Sequence, residues 1–286
     1  MEKYIDLHTH STFSDGTYTP EEIMAEASNL NLKAVALTDH DTVEGIEDFK
    51  KAGEKYGVEA ISGIELAAYY NFLGNKKEIH IVGLFVDHLN PYIIEKTKEI
   101  SAERLSRNKK MAEKLTSIGF PMTLDELREF SHYGNITRAH YARLMVKKGY
   151  ISTIKEAFEK YISSGKPGFV PRNLISPKEA IDIITKSGGI PILAHPTLYG
   201  MDYHNIRNMV KDLKEIGLKG MEVMYSTYKS EQEREITRIA TEEGLLFSGG
   251  SDFHGLNKKD IFLGTGKGNL KIPYSFLEKI KEERNW

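Results

Sequence analysis

Short apolar runs alternate with amphipathic stretches along most of this chain. Residues 4–7, 34–38, 59–62, 66–70, 79–85, 190–194, 220–224 and 245–248 are brief and rich in Ile, Val, Leu and Ala, as strands are. Helical periods lie between them: one opened by Thr19-Pro20-Glu21-Glu22, then 43–56, 177–187, 205–216 and 230–243. Thr19 is suited to cap its helix, Pro20 fits the first helical position, and the two glutamates complement the positive end of the helix dipole. This β/α alternation predicts a mostly parallel sheet, and its repetition to the last residues favours barrel-like closure. The middle breaks the pattern. From Pro91 to Ile175 the period is helical with no convincing strand, so 91–175 is expected to be a helical insert in a scaffold formed by 1–90 and 176–286.

Composition narrows the class. With 286 residues, 40% hydrophobic and 28% charged, the chain has the make-up of a globular protein rather than a disordered one. No run reaches the ~18 to 20 apolar residues of a membrane helix, and Met1-Glu2-Lys3-Tyr4-Ile5-Asp6 has no apolar signal segment, so a cytoplasmic location is expected. The absence of cysteine excludes disulfides, thiolate metal sites, iron–sulfur clusters and cysteine nucleophiles. The net charge of −2 conceals an asymmetry: the insert carries sixteen Lys+Arg and nine Asp+Glu, a charge of +7, against −9 on the scaffold. A basic module facing an acidic scaffold suggests an anionic substrate between them with cations on the scaffold side. Ordinary solvated helices account for the lysines equally well.

The histidines fall in a pattern. His8-Thr9-His10 ends the first strand, where residues i and i+2 share a face and both imidazoles can reach one cation. The turn Ser14-Asp15-Gly16 adds a carboxylate nearby. The second strand runs into Thr38-Asp39-His40-Asp41, Glu65 follows the strand at 59–62, the strand at 190–194 leads to His195-Pro196, and the last leads to Ser251-Asp252-Phe253-His254. These strand ends lie where a β/α barrel builds its site. His80, among apolar neighbours at 79–85, reads equally well as a ligand or as a core histidine. Imidazole plus carboxylate without sulfur suits Mn²⁺, Fe or Zn²⁺, with Mg²⁺ preferring more oxygen. His8, His10, Asp15, His40, Glu65, His80, His195, Asp252 and His254 make nine candidate ligands. One ion takes only about four to six, so two or three ions sharing a carboxylate are expected. Asp39 and Asp41 are candidates to orient a ligand histidine, Asp41 alternatively to touch substrate. His88, His132 and His204 are expected at the surface, and Trp286, Tyr69 and Tyr70 in packing.

In these motifs the chain resembles the PHP (polymerase and histidinol phosphatase) family of metal-dependent phosphoesterases. The resemblance runs through Asp6-Leu7-His8-Thr9-His10-Ser11, Leu37-Thr38-Asp39-His40-Asp41, Gly63-Ile64-Glu65, His80, Ala194-His195-Pro196 and Gly250-Ser251-Asp252-Phe253-His254. It implies an α/β fold, a distorted seven-stranded β/α barrel, with His8, His10, Glu65 and Asp252 on one ion. Asp15, His40 and His254 would hold a second, and Glu65, His80 and His195 a third, Glu65 bridging. Asp15 stands where some relatives carry a histidine. The insert is similar to that of stand-alone family members acting on 5′-AMP, adenosine 3′,5′-bisphosphate or the 5′ end of RNA. That similarity marks Arg104, Arg107, Arg138 and His140 as substrate-binding residues, with Arg172 a further candidate. Arg104 and Arg107 lie one helical turn apart, and guanidinium forks match phosphate oxygens. The resemblance also implies metal-activated hydroxide as nucleophile, with Asp15, His40, Glu65, His195 and His254 catalytic and a small nucleotide or short oligonucleotide as substrate. No membrane or stable nucleic-acid partner is implied, and the oligomeric state is left open, a monomer being one option. Two alternatives stand beside this: a histidinol-phosphate phosphatase, whose cationic substrate would fit poorly against a +7 insert, and a non-catalytic metal-stabilised binding module.

Overall fold

A computed structural model describes residues 3–129 and 136–284. His132 and Trp286 lie outside them. The scaffold opens with β1 (Tyr4–Thr9), α1 (Pro20–Asn29), β2 (Ala34–Leu37), α2 (Ile46–Tyr56), β3 (Glu59–Phe72) and β4 (Asn75–Leu84). The insert brings α3 (Pro91–Ser117), α4 (Leu124–Arg128), α5 (Arg138–Lys147), α6 (Ile154–Ala157) and a π-helical turn (Phe158–Ile162). The chain returns through α7 (Pro177–Lys186), β5 (Ile190–Leu193), α8 (Tyr203–Glu215), β6 (Gly220–Tyr225), α9 (Ser230–Glu242), β7 (Leu246–Gly250), a two-residue β8 (Ile272–Pro273) and α10 (Tyr274–Arg284). The Thr19 cap forms as expected: its hydroxyl accepts from Glu22 N, and the Glu22 carboxylate accepts from Thr19 N at 2.7 Å.

The strands form one sheet in the order β7-β6-β5-β4-β3-β2-β1-β8. Beyond β7 the chain folds back on β1: Asp252 N donates to His8 O and His10 N to Phe253 O, each at 2.9 Å, which nearly closes the barrel. Glycine is required there, because a Cβ on Gly250 would lie 2.2 Å from that of His8. Seven strands thus make the barrel and β8 extends its edge beside β1.

Two expectations are corrected. The runs at 59–62 and 66–70 are a single 14-residue strand, so Glu65 lies within β3 rather than after a strand. The sheet is also less parallel than expected, since β4 runs antiparallel to both β3 and β5. The reason is the two-residue link Leu73-Gly74, with φ of +50° and +78°, the tight left-handed turn that forces an antiparallel hairpin. Its flanks, Asn71 and Asn75-Lys76-Lys77, are polar and carry no strand period. α10 was not marked by the pattern; its Leu277 and Ile280 join Leu7, Ala36, Val82 and Ile192 inside the barrel.

A second, larger cluster lies between the sheet and its outer helices. The long α3 joins it through Ile93 and Ile100, whereas Met111 and Leu115 further along belong to a third cluster with Tyr141, Leu144 and Met145. The first turns of the insert are therefore packed as scaffold, and its remainder has a core of its own. Among the described residues no helix is long and apolar enough to cross a membrane.

Candidate metal centre and the cleft above it

At the end of β1, alternation turns His8 and His10 to one side, with their Nε2 atoms 3.1 Å apart. Asp15 is brought in by a turn in which Ser11 O accepts from Ser14 N and Gly16 N. A side chain at position 16 would strike His10 O at 2.1 Å, so this turn requires glycine. Asp39 holds the same loop, accepting from Ser11 N at 2.8 Å and from the Ser11 and Ser14 hydroxyls. It binds the loop and not a ligand ring. His40 forms a bridge beside Glu65, and His195, Asp252 and Asp41 have left-handed backbones with φ of +30°, +57° and +56°. Such strain in non-glycine residues persists only where the surroundings enforce it.

Glu65 is the centre of the cluster. Its carboxylate lies within 3.4 Å of five imidazoles: His8 (3.4 Å), His10 (3.3 Å), His40 (2.9 Å), His80 (2.7 Å) and His195 (3.0 Å). Asp252 Oδ1 is 3.3 Å from His10 and His254, and Asp15 Oδ1 is 3.2 Å from His254 Nε2. All nine residues marked in the sequence thus converge, His80 included, although it reaches the centre from the middle of an antiparallel strand.

Electrostatics follow from the mixture. Burial opposes charge on His10 and His80, yet neighbouring carboxylates win: Asp252 and Glu65 raise His10 to about 9, and Glu65 with Glu78 raises His80 to about 10. Against burial, His254 and His40 hold Asp15 well below the usual carboxylate range, and His40, His80 and His8 do the same for Glu65. Burial, reinforced by the nearby Lys258 ammonium, lowers His254 to about 4, and burial also lowers His195. Both rings are therefore neutral near pH 7, the form that ligates a cation.

The donor set fits divalent cations. Glu65 Oε2, Asp15 Oδ1 and His195 Nδ1 are buried without a hydrogen bond, a cost proteins seldom carry without a ligand to meet it. Ligand atoms lie within 4.8 Å of one another in four groups: His10-Asp15-His40-His254, His8-His10-Asp252, His8-Glu65-His195 and His40-Glu65-His80. Two of these groups follow the partition that the resemblance implies, one containing Asp15, His40 and His254 and one being His8-His10-Asp252, while Glu65 is grouped separately with His195 and with His80.

Supporting residues are less legible in the sequence. Glu222, buried in β6, accepts from His195 N and lies 2.7 Å from His8 Nδ1. A carboxylate inside an otherwise apolar strand was its one signal. Tyr225 OH and Lys258 Nζ both donate to Asp252 Oδ2. His88, expected at the surface, is instead buried with Nε2 3.3 Å from Glu47, because the chain reversal after β4 tucks it against α2. His204 is exposed as expected. Tyr70 OH binds Asp212, and Tyr69 lines the cleft.

A cleft of about 430 Å³ opens above the cluster. Asp15, His40, His80 and His254 form its floor, and the insert supplies Arg104, Arg107, Arg138, Arg172 and an apolar wall including Phe158, Phe169 and Ile154. His140 does not line it. Its ring is buried at the start of α5, where Nδ1 accepts from Thr137 N at 2.9 Å and Nε2 has no partner. Burial lowers this imidazole to about 4.

Comparison with known proteins agrees with this geometry. The family model for the PHP domain matches residues 6–170. The chain is 37% identical to a 5′-3′ exoribonuclease of Haemophilus influenzae over 89% of its length and 91% of the relative's. It is 32% identical to a 3′,5′-nucleoside bisphosphate phosphatase of Chromobacterium violaceum, over 87% of each. A solved structure described as a metal-dependent phosphoesterase from Bifidobacterium adolescentis superposes with a TM-score of 0.85 at 29% identity, covering 97% of this chain and 95% of that one. The histidine–carboxylate cluster at the barrel mouth together with these similarities makes the chain a metal-dependent hydrolase of phosphoester bonds. The chain belongs to the PHP family.

Proposed function

We propose that this protein hydrolyses phosphate monoesters of small nucleotides, such as 5′-AMP, adenosine 3′,5′-bisphosphate or the 5′ end of short RNA. The carrying observation is that one cleft joins the acidic and imidazole-rich cluster to four arginines and an apolar wall. Its volume is in the range of small-ligand sites, roughly 300 to 1,000 Å³. The names of the similar proteins, an exoribonuclease and a nucleoside bisphosphate phosphatase, support the same substrate class.

His8, His10, Asp15, His40, Glu65, His80, His195, Asp252 and His254 would hold two or three divalent ions, Mn²⁺ foremost, with Fe, Zn²⁺ or Mg²⁺ as substitutes. Such ions, when bound, acidify water and neutralise phosphoryl charge. Among the catalytic set, Glu65 stands among five rings, and Asp15 faces His254 at 3.2 Å and His40 at 4.0 Å. His195 and His254, neutral near pH 7, present ring nitrogens in the form that ligates a cation. The guanidiniums bind and orient phosphate oxygens, and Phe158 and Phe169 offer the base an apolar face and exclude water. Residues 91–175 act on this reading as the substrate-binding domain, with 1–90 and 176–286 as the metal-binding barrel.

The test is phosphate release by the Mn²⁺-loaded chain from AMP, adenosine 3′,5′-bisphosphate and short 5′-phosphorylated RNA, with histidinol phosphate as control. Release from at least one nucleotide is expected. No release from all three, with metal bound, would overturn the reading, and a preference for histidinol phosphate would replace it.

A further inference from the structure

The four arginines of the cleft are not equivalent. Arg104, on α3, and Arg172, on the segment returning to the scaffold, both donate to a single atom, Oδ2 of Asp41, Arg172 from 3.1 Å. Arg172 Nε lies a further 3.8 Å from Glu103. Asp41 is 1% exposed, directly follows His40, and donates its backbone N–H to Glu65 O at 3.0 Å. One carboxylate thus spans from the strand end that carries the cluster to two distant parts of the insert.

Arg107 and Arg138 have no carboxylate within ion-pair distance among the described residues. Arg107 is 4% exposed; Nη1 donates to Met111 Sδ at 3.2 Å and Nε has no partner. Arg138 lies over the Phe169 ring, 5.8 Å from its centroid. A buried cation without a counter-charge is strongly unfavourable unless a ligand supplies one. The charges divide accordingly: Arg104 and Arg172 with Asp41 and Glu103 sum to zero, whereas Arg107 and Arg138, even counting Glu78, which feels Arg138 in the same cleft, keep a surplus of +1 for an anionic group.

We propose that Asp41 is a positioning residue: it fixes Arg104 and Arg172 as a staple setting the distance of the insert from the metal-competent cluster, and leaves Arg107 and Arg138 to meet the anionic group of the substrate. This rests on the phosphoesterase reading of the cleft. An anion near Arg104 or Arg172 finds a guanidinium whose charge is shared with a buried carboxylate and whose orientation is fixed. Near Arg107 it meets an undivided charge in a medium that screens little.

The experiment uses the full Mn²⁺-loaded chain, a nucleotide monoester that the wild type turns over, and inorganic phosphate as binding probe by calorimetry. A wild type without turnover overturns the phosphoesterase reading itself, and with it the basis of this inference. With turnover, Arg107→Met and Arg138→Met should each weaken phosphate binding about tenfold or more, while Arg104→Met should change it less than about threefold and act chiefly on kcat. Asp41→Asn keeps an oxygen acceptor but loses the charge, and should lower kcat about tenfold. The double variant Asp41→Asn/Arg104→Met should be no worse than the poorer single, whereas Asp41→Asn/Arg107→Met should multiply the two losses, because contacting residues couple and independent ones add. If Asp41→Asn does not fold, Arg172→Met replaces it in both cycles with the same expectations. Unchanged kcat in the Asp41 or Arg172 variant, or phosphate affinity falling as far in Arg104→Met as in Arg107→Met, would overturn the proposal.

Discussion

The cluster and the arginine clamp share one cleft, yet they manage charge in opposite ways. In the cluster three carboxylates are packed among six imidazoles, and Glu65 alone touches five of them. In the clamp four guanidiniums share the cleft, but among the described residues only Arg104 and Arg172 meet Asp41, and Arg107 is buried with no acid within ion-pair distance. The difference lies in the titration range of the side chains. Imidazoles gain or lose protons near neutrality, so the cluster can balance its carboxylates with protons or with metal ions. Guanidiniums keep their protons at any physiological pH, so the clamp is balanced only when an anion arrives. One region is built to exchange cations and the other to await an anion, and a phosphate ester bound at divalent ions satisfies both.

The comparison is broken most completely at Glu65. Glu65→Gln removes the charge that holds five rings, and should reduce kcat/KM by more than about a hundredfold, since even residues that only orient ligands cost roughly 10- to 100-fold. Metal content of the purified variant should fall with it. Activity within tenfold of wild type would show that the cluster is not the catalytic centre.

Glu222→Gln tests whether the cluster depends on orientation as well as on ligands. The variant keeps the bulk but weakens the hold on His8 Nδ1, and its Mn²⁺ affinity should drop about tenfold or more by calorimetry. Unchanged affinity would reduce Glu222 to packing.

On the clamp side, Arg107→Met removes a buried charge that lacks a partner, so the melting temperature of the substrate-free protein should stay level or rise. KM should rise about tenfold in the same variant. A marked fall in melting temperature would mean that Arg107 is structural and that its charge is met within the fold.

The smallest effect is a proton count. His10 at about 9 and His80 at about 10 are raised above the ordinary value of 6.5, so in the metal-free chain their contribution to stability is fully present below pH 6.5 and is lost as pH rises through 9 to 10. Ligation needs neutral rings. Metal loading near pH 7.5 should therefore release protons, measured as a dependence of the binding heat on buffer ionisation enthalpy, and apparent affinity should climb with pH towards 9. A buffer-independent heat would contradict the charge state argued for the cluster.

Much of this was legible in the sequence. The cap of α1, the strand runs, the start of α3 at Pro91 and the convergence of His8, His10, Asp15, His40, His195, Asp252 and His254 all follow from patterns spanning a few residues. Local backbone preference and the rule that β/α barrels build their sites at strand ends suffice for them. His80 lay beyond that logic, because the Leu73-Gly74 turn reverses β4 and delivers the ring from mid-strand.

By itself the sequence determined which side chains exist to bind cations and anions, and roughly which elements carry them. Tertiary structure alone decided that Glu222 would grip His8 across 214 residues and that Asp41 would take Arg104 and Arg172, 63 and 131 residues away. Periodicity records which way a residue faces along its own element. Which charge it meets there depends on how the barrel closes and where the insert comes to rest, and in a buried site that meeting sets the energy of every ionised group.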